Sequence, residues 1–249
     1  MNFIEDEIGR RKAVDVTKAA LVKLIQRYSK ERGPRSADRL RSYIKGTFDY
    51  GVELGTLDAS PMLGVSKRVT GYQPIVRRRV LTIEEIKDIW TWRNNPSGWQ
   101  KTEENVKVIK FLLLTGLRIS EAQKGYLDGD KFRVDDTKGK HSRHEKRPHW
   151  VHLSPSAKEL LPLPKCSATN IQAWLKRKLT RLEVEPRYTP HDLRRTYATL
   201  ANEIGVMPHI VEKCLNHKLE GMMAVYNHAE YEQERIDCAL AVERHINNA

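Results

Sequence analysis

Residues 115–121, Thr-Gly-Leu-Arg-Ile-Ser-Glu, interrupt an apolar helical stretch and place an arginine just after a glycine turn. The preceding segment, Thr102–Leu114, has apolar residues at helical spacing, which predicts a helix with one buried face. Gly116 frees the backbone to turn, so that the following side chains can leave the core. Arg118 is therefore suited to a half-buried anion site, because its planar fork meets two oxygens of one phosphate. A surface arginine near a helix end is the alternative.

A second cationic piece is His191-Asp192-Leu193-Arg194. Thr189 and Pro190 precede it in an N-cap and first-turn pattern, so the sequence predicts that a helix starts here. A spacing of three places the imidazole and the guanidinium on one face, beside the backbone N–H groups of the helix N-terminus. Arg195 carries an equal charge, and only the spacing favours Arg194. A solvated helix face is the alternative interpretation.

A histidine and a tyrosine complete the set of candidate site residues. His217 follows a predicted helix, Pro208–Leu215, and Tyr226 lies nine positions further on. A tyrosine hydroxyl has a free pKa of about 10, so as a nucleophile it needs a neighbouring base or cations that stabilise the phenolate. Three other tyrosines compete for this role: Tyr188, Tyr197, which occupies a core position of its predicted helix, and Tyr231, the main rival.

The composition bounds the class of protein. A chain of 249 residues has room for one large or two small domains. Its formal net charge of +12 and pI near 9.6 indicate a surface that attracts polyanions. A basic soluble protein without a nucleic-acid partner is the alternative. Three cysteines lie far apart without a Cys-x-x-Cys pair, which argues against a disulfide framework and for a reducing, intracellular setting.

Histidines cluster in one basic region and raise the question of a metal site. They are His141, His144, His149 and His152, and Glu145 is the one carboxylate or thiolate beside them. Because such a set lacks the usual anionic ligands, we favour a solvated or DNA-facing hairpin. The sequence therefore predicts neither a metal nor a cofactor. It also contains no apolar run of membrane-spanning length and no signal-peptide core.

The pattern of helices and turns predicts a small helical domain over residues 1–76. Met1–Lys12 is polar and is expected to fray. Helices are predicted at Asp15–Arg32 and Ser36–Glu53, and the first residue of the second helix can cap it. Asp58–Gln73 has Ser, Pro and Gly without a clear period, which is typical of a linker.

A larger domain is predicted over residues 77–249. It opens with a capping-box pattern at Thr82–Glu85 and contains two short strands, Lys131–Asp135 and His149–Leu153, joined by a long basic loop. The fold class is mainly α, of the α+β kind, with a small antiparallel sheet. The later helices are predicted at about Ser156–Leu161, Ser167–Leu182, Pro190–Ile204, Pro208–Leu215, Gly221–Tyr226 and Glu230–Ile246.

Basic residues in two places are candidates for contacts with DNA. One group lies on the second helix, and the other is a triple arginine at the domain junction, where a clamp around DNA would need cations. For each residue taken singly, a solvated face is the alternative. The candidates are Arg35, Arg39 and Lys45 on and just before the helix, and Arg77, Arg78 and Arg79 at the junction.

Together, Thr115–Glu121, His191–Arg194, His217 and Tyr226 resemble the motifs of the tyrosine recombinases, the phage-type integrases, in both order and spacing. The similarity runs from about Ser36 to about Tyr231. The surroundings of Tyr226 look most like those of integrases from prophages and genomic islands. The resemblance implies a helical core-binding domain followed by a catalytic domain. It also implies a site-specific DNA recombinase that integrates or excises a mobile element.

The resemblance also implies a role for each site residue. The tyrosine hydroxyl attacks the scissile phosphate, forms a 3′-phosphotyrosine and frees a 5′-hydroxyl. A hairpin lysine protonates the leaving oxygen, and Lys138 matches the family's position best, although Lys140 and Lys146 stay open. Asn216 stands where the family usually has glycine. The implied catalytic residues are Tyr226, Arg118 and Arg194 for charge stabilisation, Lys138, His191 for proton transfer, and His217 as a hydrogen-bond donor to the phosphate.

Double-stranded DNA is the implied partner, with four protomers around two duplexes and a monomer or weak oligomer without DNA. Accessory DNA-bending proteins and a bacterial cytoplasmic location are further expectations. The tail after Tyr226 is expected to dock onto a neighbouring protomer, with packing onto its own domain as the alternative. We expect no room in this chain for the family's usual N-terminal arm-binding domain, so either the chain is truncated or this member lacks that domain. Two rival functions share parts of the pattern: a type IB topoisomerase, and a non-catalytic DNA-binding protein on the same scaffold.

Overall fold

The computed structural model describes residues 3–92, 100–135, 148–217, 221 and 225–248. The chain divides into two compact units, residues 1–77 and residues 78–249. The predicted class is confirmed, since the chain is mostly helical with a small antiparallel sheet. No helix in the described ranges is both long enough and apolar enough to cross a membrane.

The first unit is built around two antiparallel helices. It contains α1 (Phe3–Ile8), α2 (Lys18–Arg32) and α3 (Pro34–Glu53), with 3₁₀ turns at Ala13–Asp15 and Lys67–Thr70. Helices α2 and α3 meet through apolar side chains that form one core. This core contains Leu21, Leu24, Ile25, Ala37, Leu40, Ile44 and Phe48.

Two expectations for this unit were wrong, and the start of one helix differs by two residues. Residues 3–8 form a helix rather than a frayed end. Its Ile4 and Ile8 side chains pack on the core and hold the helix against the unit. Helix α3 starts at Pro34 rather than Ser36, because proline at the first position needs no N–H partner. The supposed linker is packed against the unit: Met62 is fully buried, and Ser29 Oγ donates to the Thr70 carbonyl at 2.8 Å.

The second unit begins with α4 (Ile83–Thr91), which is capped as the sequence predicts. Thr82 Oγ1 accepts from Glu85 N at 3.3 Å, and Glu85 Oε2 accepts from Thr82 N at 2.9 Å. The remaining helices are α5 (Gln100–Thr115), α6 (Ile119–Ala122), α7 (Pro155–Glu159), α8 (Ala168–Arg181), α9 (Pro190–Glu203), α10 (Pro208–Cys214) and α11 (Glu232–Asn248).

The sheet has three antiparallel strands in the order β1-β2-β3. They are β1 (Tyr126–Asp128), β2 (Lys131–Val134) and β3 (His149–His152). Only β2 and β3 were predicted. All three β1 residues are exposed, so this strand lacks the buried alternation that would have revealed it.

Helix α5 runs through the core of the second unit and packs against α9 and α11. The C-terminal helix buries Cys238, Val242 and Ile246 against its own unit. The apolar face of this helix is thus covered in cis, and docking of the tail on a neighbouring protomer stays a prediction.

Candidate active site

The turn between α5 and α6 places Arg118 at the edge of the core. Gly116 adopts a left-handed conformation with φ 65°, and a Cβ there would lie 2.7 Å from Tyr197 Cδ1. Only glycine fits both the dihedral angle and the space. Leu117 is buried, while the Arg118 side chain keeps 30 % of its surface exposed. The local geometry therefore agrees with the prediction that Gly116 turns the chain and leaves Arg118 half-buried.

A buried carboxylate, Glu121, lies between two guanidiniums. Only 1 % of the surface of Glu121 is exposed. Glu121 Oε1 accepts from Arg118 Nη1 at 2.6 Å, and Oε2 lies 3.6 Å from Arg194 Nη1. Oε2 also accepts from the Arg118 backbone N at 2.8 Å. One carboxylate thus links residues 76 positions apart in the chain, and brings both predicted phosphate-binding arginines to one place.

Helix α9 supplies Arg194, which is almost completely buried. Asp192 Oδ2 accepts from both Thr189 N and Thr189 Oγ1, which fixes the start of this helix. Arg194 Nη1 donates to the Gly116 carbonyl at 2.8 Å, and Nη2 donates to the Leu215 carbonyl. Burial, followed by the nearby Arg118 charge, lowers the pKa of Arg194 to about 10, so it remains charged at neutral pH.

Arg195 was the competing neighbour, and its side chain is used differently. Arg195 Nη1 lies 2.6 Å from Asp192 Oδ1, in an ion pair on its own helix. It is also more exposed than Arg194, with 33 % of its side-chain surface accessible against 3 %. The spacing argument for Arg194 therefore agrees with the contacts.

His217 joins the cluster through a helix C-terminus. Asn216 has φ 51°, and its N–H donates to the Lys213 carbonyl while His217 N donates to Glu212 O at 2.9 Å. This pair of bonds is a Schellman motif, which needs a left-handed residue after the helix. Asparagine is the non-glycine residue that best tolerates that conformation. The substitution of glycine by Asn216 therefore preserves the turn.

The His217 ring bridges a carboxylate and a guanidinium. Its Nδ1 lies 2.6 Å from Glu212 Oε2, and its Nε2 lies 3.0 Å from Arg194 Nη2. Since arginine can only donate, Nε2 accepts and the ring proton resides on Nδ1. Burial, and then the Arg194 charge, lower the pKa of His217, so the neutral form is favoured.

His191 lies within the electrostatic reach of the same arginines. Burial lowers its pKa, and the charges of Arg195, Arg194 and Arg118 lower it further. A neutral imidazole is able to accept a proton, which suits the expected part in proton transfer. Lys138, Lys140 and Lys146 lie outside the described residues.

The four tyrosine candidates differ in their surroundings. Tyr226 is helical and 74 % exposed. Tyr231 donates its hydroxyl to Asn227 Oδ1 at 3.0 Å, and its ring packs edge-on against His209. Tyr188 and Tyr197 are buried, and burial raises the pKa of each hydroxyl well above its ordinary value. An exposed hydroxyl can reach an external phosphate, whereas the buried ones cannot.

The candidate DNA-contact residues differ in their exposure, and two of them form ion pairs within the protein. Arg35, Arg39 and Arg78 are exposed, as is Arg77. Lys45 forms an ion pair with Asp49. The Arg79 guanidinium donates hydrogen bonds to the Glu85 carboxylate and to the carbonyls of Val80 and Pro186. A phosphate would have to compete with these groups at Lys45 and Arg79.

Part of the histidine-rich region lies outside the described residues. That part includes His141, His144 and Glu145. His149 is buried in β3, so the DNA-facing or solvated reading is wrong for it. In the ranges that the structure covers, no group of three or more His, Cys, Asp or Glu residues is placed to hold a metal ion.

Burial of His149 predicts an acid-sensitive fold. Burial, followed by the Arg235 and Arg194 charges, lowers the pKa of His149 to about 3. The unfolded state binds a proton near pH 6.5 and the folded state does not, so stability is full above that pH and is lost as the pH falls toward 3. We expect this residue alone to cost about 2 kcal/mol of unfolding free energy between pH 7 and pH 5.

Urea unfolding of the unchanged protein and His149→Asn at both pH values measures this cost. The variant should be less stable at pH 7 and should lose about 2 kcal/mol less on acidification. His228→Asn, at an exposed histidine, is the control and should follow the unchanged protein. Equal pH dependence of the His149→Asn and unchanged proteins would contradict the prediction.

Comparison with known proteins identifies a family and a shared fold. A sequence profile of the phage integrase family matches residues 79–233. No curated protein sequence matches the chain. Among solved structures, a lambda integrase(75-356) dimer bound to a COC′ core site is similar, with a TM-score of 0.67 and 16 % identity over 88 % of this chain and 85 % of that one.

Two further structures share the fold. A lambda integrase tetramer bound to a Holliday junction has a TM-score of 0.68 and 15 % identity, covering 88 % of this chain and 69 % of that one. The Tn1549 transposon integrase (aa 82-397) in complex with circular intermediate DNA has a TM-score of 0.63 and 13 % identity, covering 94 % and 89 %. At these identities the likeness concerns the fold.

Proposed function

We propose, from the premise that the chain belongs to the phage integrase family, that Tyr226 cleaves DNA at a phosphodiester held by Arg118 and Arg194. As a member of this family, the tyrosine recombinases, the protein is a site-specific DNA recombinase. The observation that best supports the residue assignment is the shared contact of both guanidiniums with Glu121. Both cations therefore lie beside one carboxylate, close enough for a single phosphate to contact both in the proposed complex.

The proposed reaction exchanges one phosphodiester for another. The Tyr226 oxygen forms a bond to phosphorus, and the bond from phosphorus to the 5′-oxygen breaks. His191 assists removal of the tyrosine proton, and a hairpin lysine, Lys138 in our assignment, gives a proton to the leaving 5′-oxygen. The 3′-phosphotyrosine keeps the bond energy, so a 5′-hydroxyl from another strand can reverse the step and rejoin the DNA.

Electrostatics explain how the arginines would act. Two guanidiniums and the Glu121 carboxylate leave one positive charge, which matches the single negative charge of a phosphodiester. Charge builds up on the phosphoryl oxygens as the tyrosine attacks, and fixed donors in a partly dry site stabilise it. The neutral His217 accepts from Arg194 in the DNA-free protein. A phosphate beside the ring would raise its pKa and favour the doubly protonated form, which can donate to the phosphate.

Covalent capture tests the function. The protein is incubated with a pool of nicked duplexes of random core sequence, in which cleavage releases a short 5′-hydroxyl fragment and traps the adduct. Sequencing of the trapped DNA should reveal one enriched core. A plasmid that lacks this core distinguishes the rivals, since relaxing it efficiently is the behaviour of a type IB topoisomerase. Absence of any adduct would favour a non-catalytic DNA-binding protein.

Assembly on DNA is proposed by analogy with the similar structures. Lambda integrase has been seen as a dimer on a core site and as a tetramer on a Holliday junction. Strand exchange needs two duplexes, which favours four protomers of this chain on paired sites. Accessory DNA-bending proteins and a bacterial cytoplasmic location stay predictions.

One face of α3 is suited to lie against DNA. The exposed positions between Arg35 and Tyr50 carry arginine, serine, threonine, tyrosine and glycine, and no carboxylate. Asp38 and Asp49 are held in ion pairs with Arg41 and Lys45. This face therefore offers cations and hydrogen-bonding side chains without like-charge repulsion of phosphates.

Removal of the Arg39 charge should weaken DNA binding. We expect Arg39→Ala to lower the affinity for the enriched duplex several-fold and to reduce the slope of log affinity against log salt by about 1. Fluorescence anisotropy at several salt concentrations measures both quantities. Lys23→Ala, at an exposed α2 position outside this face, is the charge-matched control. An equal effect of the two variants would argue for diffuse charge rather than for this face.

A further inference from the structure

The segment that follows Tyr226 is fixed at several points, although Tyr226 itself is exposed. Residues 227–231 connect Tyr226 to α11 without regular structure. Asn227, its immediate neighbour, accepts a hydrogen bond from the Tyr231 hydroxyl at 3.0 Å. Tyr231 has φ 51°, a left-handed conformation that costs a non-glycine residue about 1 kcal/mol or more. A strained residue that is held by its own side chain indicates a functional constraint on this segment.

The same segment is tied to α10. The Tyr231 ring lies edge-on to the His209 ring, with centroids 5.0 Å apart. Glu230 Oε1 lies 3.5 Å from Lys213 Nζ. His209 and Lys213 are four positions apart on α10, so they lie on one face of that helix. The exposed ion pair contributes little alone, and the ring contact supplies a second point of attachment.

Arg235 fixes the other end of the segment to the sheet. It is 4 % exposed, donates to the Trp150 carbonyl, and stacks its guanidinium carbon 3.4 Å from the Trp150 ring centroid. Its Nη1 also donates to the Glu230 carbonyl at 3.4 Å and lies 3.5 Å from Glu230 Oε2. A buried guanidinium with these partners is held in one orientation. The backbone at Glu230 is therefore connected to β3.

These contacts give the nucleophile and the cations a common support. Helix α10 bears His209 and Lys213, and it leads directly into Leu215 and His217, which both contact Arg194. One short helix thus holds the arginine on one side and the post-tyrosine segment on the other. A displacement of about 1 Å between reacting groups can cost on the order of a hundredfold in rate.

We propose that Asn227, Glu230, Tyr231 and Arg235, the tyrosine anchor, are positioning residues that set the reach of the Tyr226 hydroxyl toward the phosphate. This proposal rests on the proposed role of Tyr226 as nucleophile. The anchor acts through the backbone of residues 227–231 and touches neither the DNA nor the reacting atoms. It therefore controls the rate of cleavage and leaves the affinity for DNA unchanged.

Single-turnover cleavage of the enriched nicked duplex at saturating protein tests the anchor. Tyr231→Phe removes one hydroxyl and keeps the ring on His209, and Asn227→Ala removes the acceptor. Each should slow cleavage about tenfold, with DNA affinity within twofold of the unchanged protein. The double variant should be no slower than either single variant, because both remove the same hydrogen bond. Tyr126→Phe, at an exposed strand tyrosine, is the control.

The outcomes separate this proposal from the assignment of Tyr226. Cleavage at the unchanged rate by Tyr231→Phe, with the adduct still on Tyr226, overturns the anchor and leaves the nucleophile intact. Complete loss of the adduct in Tyr231→Phe, with linkage at Tyr231 in the unchanged protein, overturns the nucleophile. Multiplicative effects of the two variants, or a rate loss that follows a lowered unfolding temperature, would mean general destabilisation and would also overturn the anchor.

Discussion

We expect the Tyr226→Phe protein to form no covalent adduct with DNA and to bind DNA as tightly as the unchanged chain. Phenylalanine has no oxygen that can bond to phosphorus, so the cleavage rate should fall by at least about a thousandfold. The side chain is 74 % exposed, so loss of the hydroxyl should leave the stability of the fold unchanged. Denaturing gels with the enriched nicked duplex report the adduct, and anisotropy reports the affinity.

Tyr126→Phe provides a matched control for this result. Tyr126 is also exposed, and it lies on the outer strand of the sheet. Its variant should form the adduct at the unchanged rate. An adduct of normal yield in the Tyr226→Phe protein would refute the assignment of the nucleophile, and the site would then have to be sought around another hydroxyl.

Arg194→Lys should lower the cleavage rate at saturating DNA by about a hundredfold to a thousandfold. The guanidinium donates to two carbonyls, those of Gly116 and Leu215, and lies beside both His217 and Glu121. A lysine ammonium keeps the charge but lacks the planar fork, so it cannot satisfy these groups and a phosphate together. Single-turnover cleavage and urea unfolding, measured in parallel, separate the rate effect from a loss of stability of about 1–3 kcal/mol.

The neighbouring Arg195 allows a control in which the same arginine-to-lysine change is made outside the proposed phosphate site. Arg195→Lys changes a partly exposed cation on the same helix, which pairs with the buried Asp192. We expect less than a threefold change in its cleavage rate. Similar losses in the two variants would show that the charge of α9, rather than the particular geometry of Arg194, supports cleavage.

Local signals predicted much of this fold, and the family motifs predicted the clustered cations. The capping box of α4 and the apolar period of α5 are visible in the sequence because each depends on residues within one or two turns. In the sequence, Glu121 is notable only as the last residue of the 115–121 motif. Its contact with Arg194 depends on packing across the core, which no local pattern encodes.

Other differences between the sequence-based predictions and the structure also have physical causes. The ion pair of Lys45 with Asp49 joins residues four positions apart on one helix, so its charge spacing could have revealed it. The pair of Arg79 with Glu85 joins a residue before α4 to one within it, which no helical spacing encodes. Strand β1 is too short and too exposed to show alternation. Asn216 departed from the family pattern, and its positive φ explains why the departure keeps His217 in place.

The most direct test of the account is to find which residue carries the DNA. After nuclease trimming, digestion on the carboxyl side of glutamate separates the two rival tyrosines, because Glu220 and Glu230 bound a peptide that contains Tyr226 while Tyr231 falls in the next one. Mass spectrometry of the linked peptide should find the nucleotide remnant on residues 221–230. A remnant on the peptide that begins at Tyr231, or on any peptide elsewhere in the chain, would contradict a phosphate attacked by Tyr226 between Arg118 and Arg194.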